Sequence, residues 1–167
     1  MTAPVREPAW SMPRSAISLW VTESGVNCIF LGLAVGAFLL FVPADVGGPV
    51  PTLRWLLPAA AGLYAVVAIG VRPWFKHRVY RWEITADAAF TRTGWVTQTW
   101  TLVPISRIQT VDVTRGLLQQ LFGLASVAVL TASSQGTVRI WHLEHEVAQR
   151  VAADLAARAE AVRDEAT

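Results

Sequence analysis

Charge is what this chain most conspicuously lacks. Only 16% of its 167 residues are Asp, Glu, Lys or Arg, whereas 53% are hydrophobic. A water-soluble domain carries about 25% charged residues, so a deficit of this size places part of the chain in lipid. Cysteine is almost missing too. Cys28 stands alone, which excludes an intramolecular disulfide and any zinc site built from thiolates. There is no Gly-x-Ser-x-Gly elbow, no glycine-rich phosphate loop and no obvious nucleophile–base pair. The expectation is a protein that is not an enzyme and that holds no cofactor or metal. The basic residues gather beside an apolar segment rather than along one helix face, so nucleic acid is not an expected partner.

The charge deficit is concentrated in two runs. Residues 25–42, "GVNCIFLGLAVGAFLLFV", contain no Asp, Glu, Lys or Arg. As a helix they measure about 27 Å, close to the ~30 Å hydrocarbon core of a bilayer. Residues 55–71, "WLLPAAAGLYAVVAIGV", form a second run of similar length. Pro58 is expected near the start of that helix, where its missing N–H costs least. The Pro/Gly-rich segment between them, within residues 43–54, reads as a short external loop, so the pair forms a transmembrane hairpin. A cleaved signal peptide is the alternative for the first run. The preceding residues 1–24 contain Glu7 and Glu23, and the apolar run is longer than the usual 7–15-residue signal core. Both features favour a retained leader.

Orientation follows from Lys and Arg near the runs. The leader offers Arg6 and Arg14, the loop only Arg54, and the basic linker 72–79 opens "RPWFKHRVYRW" with Arg72, Lys76, Arg78 and Arg81. Both termini are therefore expected in the cytoplasm of a multi-pass plasma-membrane protein. Trp55 and Trp74 suit interfacial anchoring, although tryptophan also serves cores. From Arg72 to Arg115 there are seven Lys/Arg against three Asp/Glu, and from Glu144 onward six acidic against three basic residues. The basic half thus lies next to the membrane, where anionic headgroups attract it.

Beyond Tyr80 the pattern changes to short β-branched and aromatic runs separated by turn signals. "YRWEIT" alternates Tyr80, Trp82 and Ile84, residues 86–88 reverse the chain, and Gly94 marks the next turn before "WVTQTWTLV". Later, "SVAVLTA" and "TVRIW" flank Ser134-Gln135-Gly136, which reads as a hairpin turn. Six or seven strands follow, as a small antiparallel sandwich or barrel. In the last segment Val147, Val151, Leu155, Ala159 and Val162 recur at helical spacing. An amphipathic helix docked on the sheets is expected, giving a pleckstrin-homology (PH) type domain over residues 80–163 and a short tail, 164–167. The fold class is thus an α+β membrane protein: a two-helix hairpin, then a small PH-like β-sandwich with a C-terminal helix.

The stretch from Pro104 to Ala132 carries a resemblance. Pro104, Arg107-Ile108-Gln109, Val111, Leu118, Gly123-Leu124 and Ala132 occur in that order, with Arg81-Trp82 and Gly94 upstream. In these positions the chain resembles the bacterial PH-domain membrane proteins of the YdbS-like family over residues 25–162. The position often basic in that family, before the Gly-Leu pair, is here Gln119-Gln120, which lowers the local charge. The resemblance implies two spans, one cytoplasmic PH-like domain, and assembly with copies of itself or with a larger membrane protein carrying several such domains. It also implies a part in envelope maintenance or stress resistance.

Several residues are singled out as contacts. In "PISRIQTVDV", Pro104 opens a short helical turn, Ile105 and Ile108 point inward, and Val111 and Val113 alternate along the next strand. Arg107 and Gln109 remain outside; Arg107 can fix the corner or meet a phosphate or partner. "GLLQQLFG" places Leu117, Leu118, Leu121 and Phe122 on one side of a short helix closed by Gly123. That side either plugs the sandwich or presents a knob to a partner or to the membrane interface. A headgroup sensor would use Arg78, Arg81, Arg92 and Arg107, and an accessory subunit of a transport or secretion complex would use the hairpin. The turn "TADAAF" holds an aspartate and no cationic cradle, so inositol-phosphate recognition is not expected. "WHLEHE" brings His142 and His145 close in sequence, but it is one residue short of the His-x-x-Glu-His zinc pattern and reads as a helix start.

Overall fold

In a computed structural model, which describes residues 7–94, 97–131 and 137–165, the chain divides into two units. One comprises Trp20–Trp74; the other joins the described residues up to Leu19 to those from Phe75 onward. Helix α1 (Ser15–Phe41) and the helix Val50–Val79 are each long and apolar enough to cross a membrane, and almost none of their apolar stretches is buried. Phe30, Leu40 and Trp55 are bare, unlike the side chains of a soluble core helix.

The second long helix begins earlier than the sequence suggests. Helix α2 (Val50–Ala65) has proline at its first turn, where a missing N–H is harmless. Pro58 consequently lies inside the helix rather than near its start, and the Arg54 carbonyl loses its usual donor. The six residues Val66–Val71 take the wide π register before helix α3 (Arg72–Val79). Pro73 accounts for this: its ring would strike the Ile69 carbonyl in a regular α-turn, and a wide turn just before it relieves the clash.

The other unit is a sandwich of two antiparallel sheets. Strands β1 (Trp10–Ser11), β2 (Arg81–Ile84), β3 (Ala88–Thr93) and β4 (Thr99–Pro104) form one sheet in that order. Strands β5 (Ile108–Thr114), β6 (Leu124–Thr131) and β7 (Thr137–Glu144) form the other. The first strand comes from the leader: Trp10 pairs with Trp82 and Ser11 with Arg81. Further bonds fasten it. The Ala9 N–H donates to Glu83 Oε2 at 3.0 Å, Arg92 Nη1 donates to Glu7 Oε1 at 2.7 Å, and His77 Nε2 meets the Met12 carbonyl at 3.0 Å. The apolar hairpin is therefore inserted within the domain, between β1 and β2.

The turn from β4 to β5 behaves as its spacing predicts. Ile105–Arg107 form one 3₁₀ turn, and Ile105 and Ile108, three apart, are both buried. Val113 does not follow the expected alternation; it is exposed, and only Ile108 and Val111 of β5 turn toward the core. Helix α5 (His145–Glu165) closes the sandwich with Ala148, Ala152, Leu155 and Ala159. Leu155 and Ala159 are thus buried as expected, Val147 and Val151 pack half-buried beside the deeper Ala148 and Ala152, and Val162 is exposed. Alanines let the helix axis come close to β5 and β6, which longer side chains would prevent. The expected turn at Ser134–Gly136, Ala132 of the motif, Trp95 and Val96 of the β4 run, Arg6, and residues 166–167 of the tail lie outside the described residues.

Candidate functional site

Helix α4 (Leu117–Leu121) connects β5 to β6. The large apolar residues in and just after it do not share one side. Leu118 and Phe122, four apart, are half-buried, whereas Leu117 and Leu121 are 84% and 82% exposed. Leu117 and Leu121 thus share one face and Leu118 and Phe122 the adjacent one, since residues at i and i+4 stack together and those at i+1 do not.

A helix this short has no stability of its own, so its anchor matters. Gln119 supplies it. Its Oε1 accepts the Gly116 N–H at 3.0 Å, while Nε2 donates to Ser126 Oγ at 2.7 Å and lies 2.9 Å from His142 Nδ1. Both receiving groups sit on a β-bulge, where Trp141 and His142 of β7 oppose the single residue Ser126 of β6. The bulge sends His142 to φ +54, a left-handed conformation histidine tolerates better than most residues. The His142 N–H also reaches Ser126 Oγ, at 3.3 Å. Burial first, and the positive charge of Lys76 second, push the His142 imidazole down to about 4. It is neutral at pH 7, so Nδ1 can accept from Gln119. Gly123, at φ +68, ends the helix and its carbonyl receives the His145 N–H at 3.0 Å. His142 and His145 thus belong to a strand and a helix start, and do not share a helix face. Among the described residues no cluster of His, Cys, Asp and Glu is placed to hold a metal ion.

Nearby, Tyr80 joins the end of α3 to β7. Its hydroxyl donates to the Arg139 carbonyl at 3.3 Å and accepts the Trp141 N–H at 3.0 Å, and burial pushes the phenol pKa up.

This arrangement of two apolar helices, a two-sheet sandwich and a capping helix can be set beside known proteins. The profile of the bacterial PH domain matches residues 28–159. The chain belongs to the bacterial PH domain family. The UPF0699 transmembrane protein YdbS of Bacillus subtilis (strain 168) is 28% identical over 123 residues, which cover 74% of this chain and 72% of that protein. No solved structure gives a significant match. A bacterial PH domain is a non-catalytic scaffold, and this one is part of a membrane protein related to YdbS.

Within that family frame the arginines divide into two places. Arg81 and Arg92 are directly paired across β2 and β3, at the end of the sheet that continues from α3 and Arg78. Arg107 follows Pro104, which pairs with Ala88, four residues along β3 from Arg92. At 3.3 Å per residue that is about 13 Å along the backbone of β3. Arg92 is also occupied: besides Glu7 it donates to Gln98 Oε1 at 2.8 Å and lies 5.4 Å over the Trp100 ring. Arg107 and Gln109 are exposed, and Arg107 has no side-chain partner among the described residues.

Sequence reading missed a polar opening of about 410 Å³ between β3, β4 and β7. Its register pairs Thr91 with Thr101 and Thr93 with Thr99. Across from them lie Arg139 and Trp141, the guanidinium 5.2 Å over the indole. The repeated "TxT" of both strands was the available signal, and only the pairing register turns it into a lining.

Proposed function

We propose that this protein is a membrane-anchored scaffold whose PH-like domain assembles with other PH-domain membrane proteins through the exposed face of α4. The partner is a second copy or a larger protein with several such domains, and the process is envelope maintenance or stress resistance. The observation that carries the reading is the exposure of Leu117 and Leu121 on a helix already locked by Gln119. A pre-ordered apolar face binds without first having to lose conformational freedom. In this reading the two apolar helices span the plasma membrane. The pairing of Trp10 with Trp82 supports placing both ends of the hairpin on one side, and the basic residues of α3 support the cytoplasmic side. The engagement of Arg92 by Glu7 and Gln98 argues against the headgroup-sensor alternative.

A photo-crosslinking residue at position 117 in native membranes tests the assembly. Adducts to a PH-domain protein are expected, persisting in high salt because the interface is apolar. They should disappear on Leu121→Asp, while the melting temperature stays within a degree or two. Adducts to lipid alone, or loss of adducts with added salt, would overturn the reading.

A further inference from the structure

Between the leader and α5 lies a groove of about 550 Å³, within the roughly 300–1,000 Å³ range of small-molecule sites. The leader forms one wall with Trp10, Met12 and Pro13, and α5 forms the other with Val147 and Val151. Trp82 and Leu143 line it as well, and Glu144 and Arg150 add one charge of each sign. Apart from these two and Ser11 the lining is apolar. The Trp82 indole nitrogen is buried with essentially no accessible surface, so Trp82 offers the groove apolar ring surface and not a donor.

Arg150 uses its Nε on the Glu146 carbonyl at 3.4 Å, and its terminal nitrogens have no partner among the described residues. Glu144 is exposed and likewise unpaired there. One wall of the groove, Trp10–Pro13, precedes the apolar helix α1 by a single residue, so a membrane amphiphile is the ligand class available to it.

We infer that this groove binds a single-chain zwitterionic amphiphile, a lysophospholipid. The acyl chain lies between the leader and α5, and the head places phosphate toward Arg150 and ammonium toward Glu144. The site is independent of the α4 face.

The test uses the full chain in nanodiscs with a diazirine-bearing lysophosphatidylethanolamine, followed by photolysis and peptide mapping. Adducts are expected on the peptides carrying Val147–Val151 and Trp10–Pro13, in addition to the two apolar helices. Val151→Trp fills the groove and should lower the α5 adducts by roughly tenfold, leaving those on the apolar helices unchanged. Arg150→Gln removes the cation that meets the phosphate, and should lower them by roughly three- to tenfold. Unchanged melting temperatures identify folded variants, and Arg150→Gln carries the test if Val151→Trp unfolds. Adducts confined to the apolar helices, α5 adducts indifferent to both substitutions, or crosslinks from α5 to a second protein copy in place of lipid would each overturn the proposal.

Discussion

The two openings of the sandwich flank the same strand yet are built in opposite ways. On one side β7 and α5 meet the leader, and the gap is lined by Trp10, Met12, Val147 and Val151. On the other, β7 meets β3 and β4, and the gap is lined by threonine hydroxyls. The difference comes from which element supplies the missing wall. The apolar side borrows its wall from a segment before the hairpin, whereas the threonine side has only strands of the domain proper. An opening lined by hydroxyls can hold water at little cost, but one lined by indole, thioether and valine cannot. The second therefore calls for an apolar occupant, and the first does not.

Core truncation should erase the distinction. Leu155 is fully buried between the sheets and α5, and Leu155→Ala is expected to cost about 2–5 kcal/mol, measured by chemical denaturation of the full chain in detergent. Both openings should be lost together, with hydrogen exchange rising throughout the sandwich. Gly94→Ala acts on the threonine side alone. At φ +100 its new Cβ would overlap the Thr97 carbonyl, so a loss of about 1–3 kcal/mol is expected, with amide exchange accelerated in β3 and β4 before α5. Tyr80→Phe takes the acceptor from the Trp141 N–H and should cost about 1–2 kcal/mol, detectable as a lower denaturation midpoint and faster exchange at Trp141.

A further effect is a pH dependence. Unfolded histidine titrates near 6.5, whereas His142 in the fold titrates near 4. Between those values the unfolded chain binds a proton that the folded one refuses, so stability is full above about pH 6.5 and declines as pH falls toward 4. His142→Asn, which tolerates the same backbone conformation, should flatten that part of a thermal-melt pH profile. If the slope survives the substitution, His142 is not its source.

How much of this was legible in the sequence depended on how local the cause was. Ile105 and Ile108 announce their 3₁₀ turn because three-residue spacing and Pro104 suffice to define it. The family was legible in the same stretch. The α4 leucines were found but not sorted, because sorting them needs the phase of a five-residue helix, and that phase is set by Gln119 reaching a bulge on another hairpin. Leu155 and Ala159 were legible on the docked face of α5, whereas Ala148 and Ala152 were overlooked beside Val147 and Val151, since alanines carry little hydrophobic signal yet pack closest. Strand β1 was invisible for a different reason. Two residues have no periodicity, and the partner of Trp10 is Trp82, beyond both apolar helices.

That distant partner sets an order of events during synthesis. The half-strand at Trp10 leaves the ribosome first but has nothing to pair with until the hairpin and then β2 have followed it. Until then the leader is an open end, and the groove it walls does not exist. Docking of Trp10–Ser11 consequently has to wait until both apolar helices and then β2 have been made.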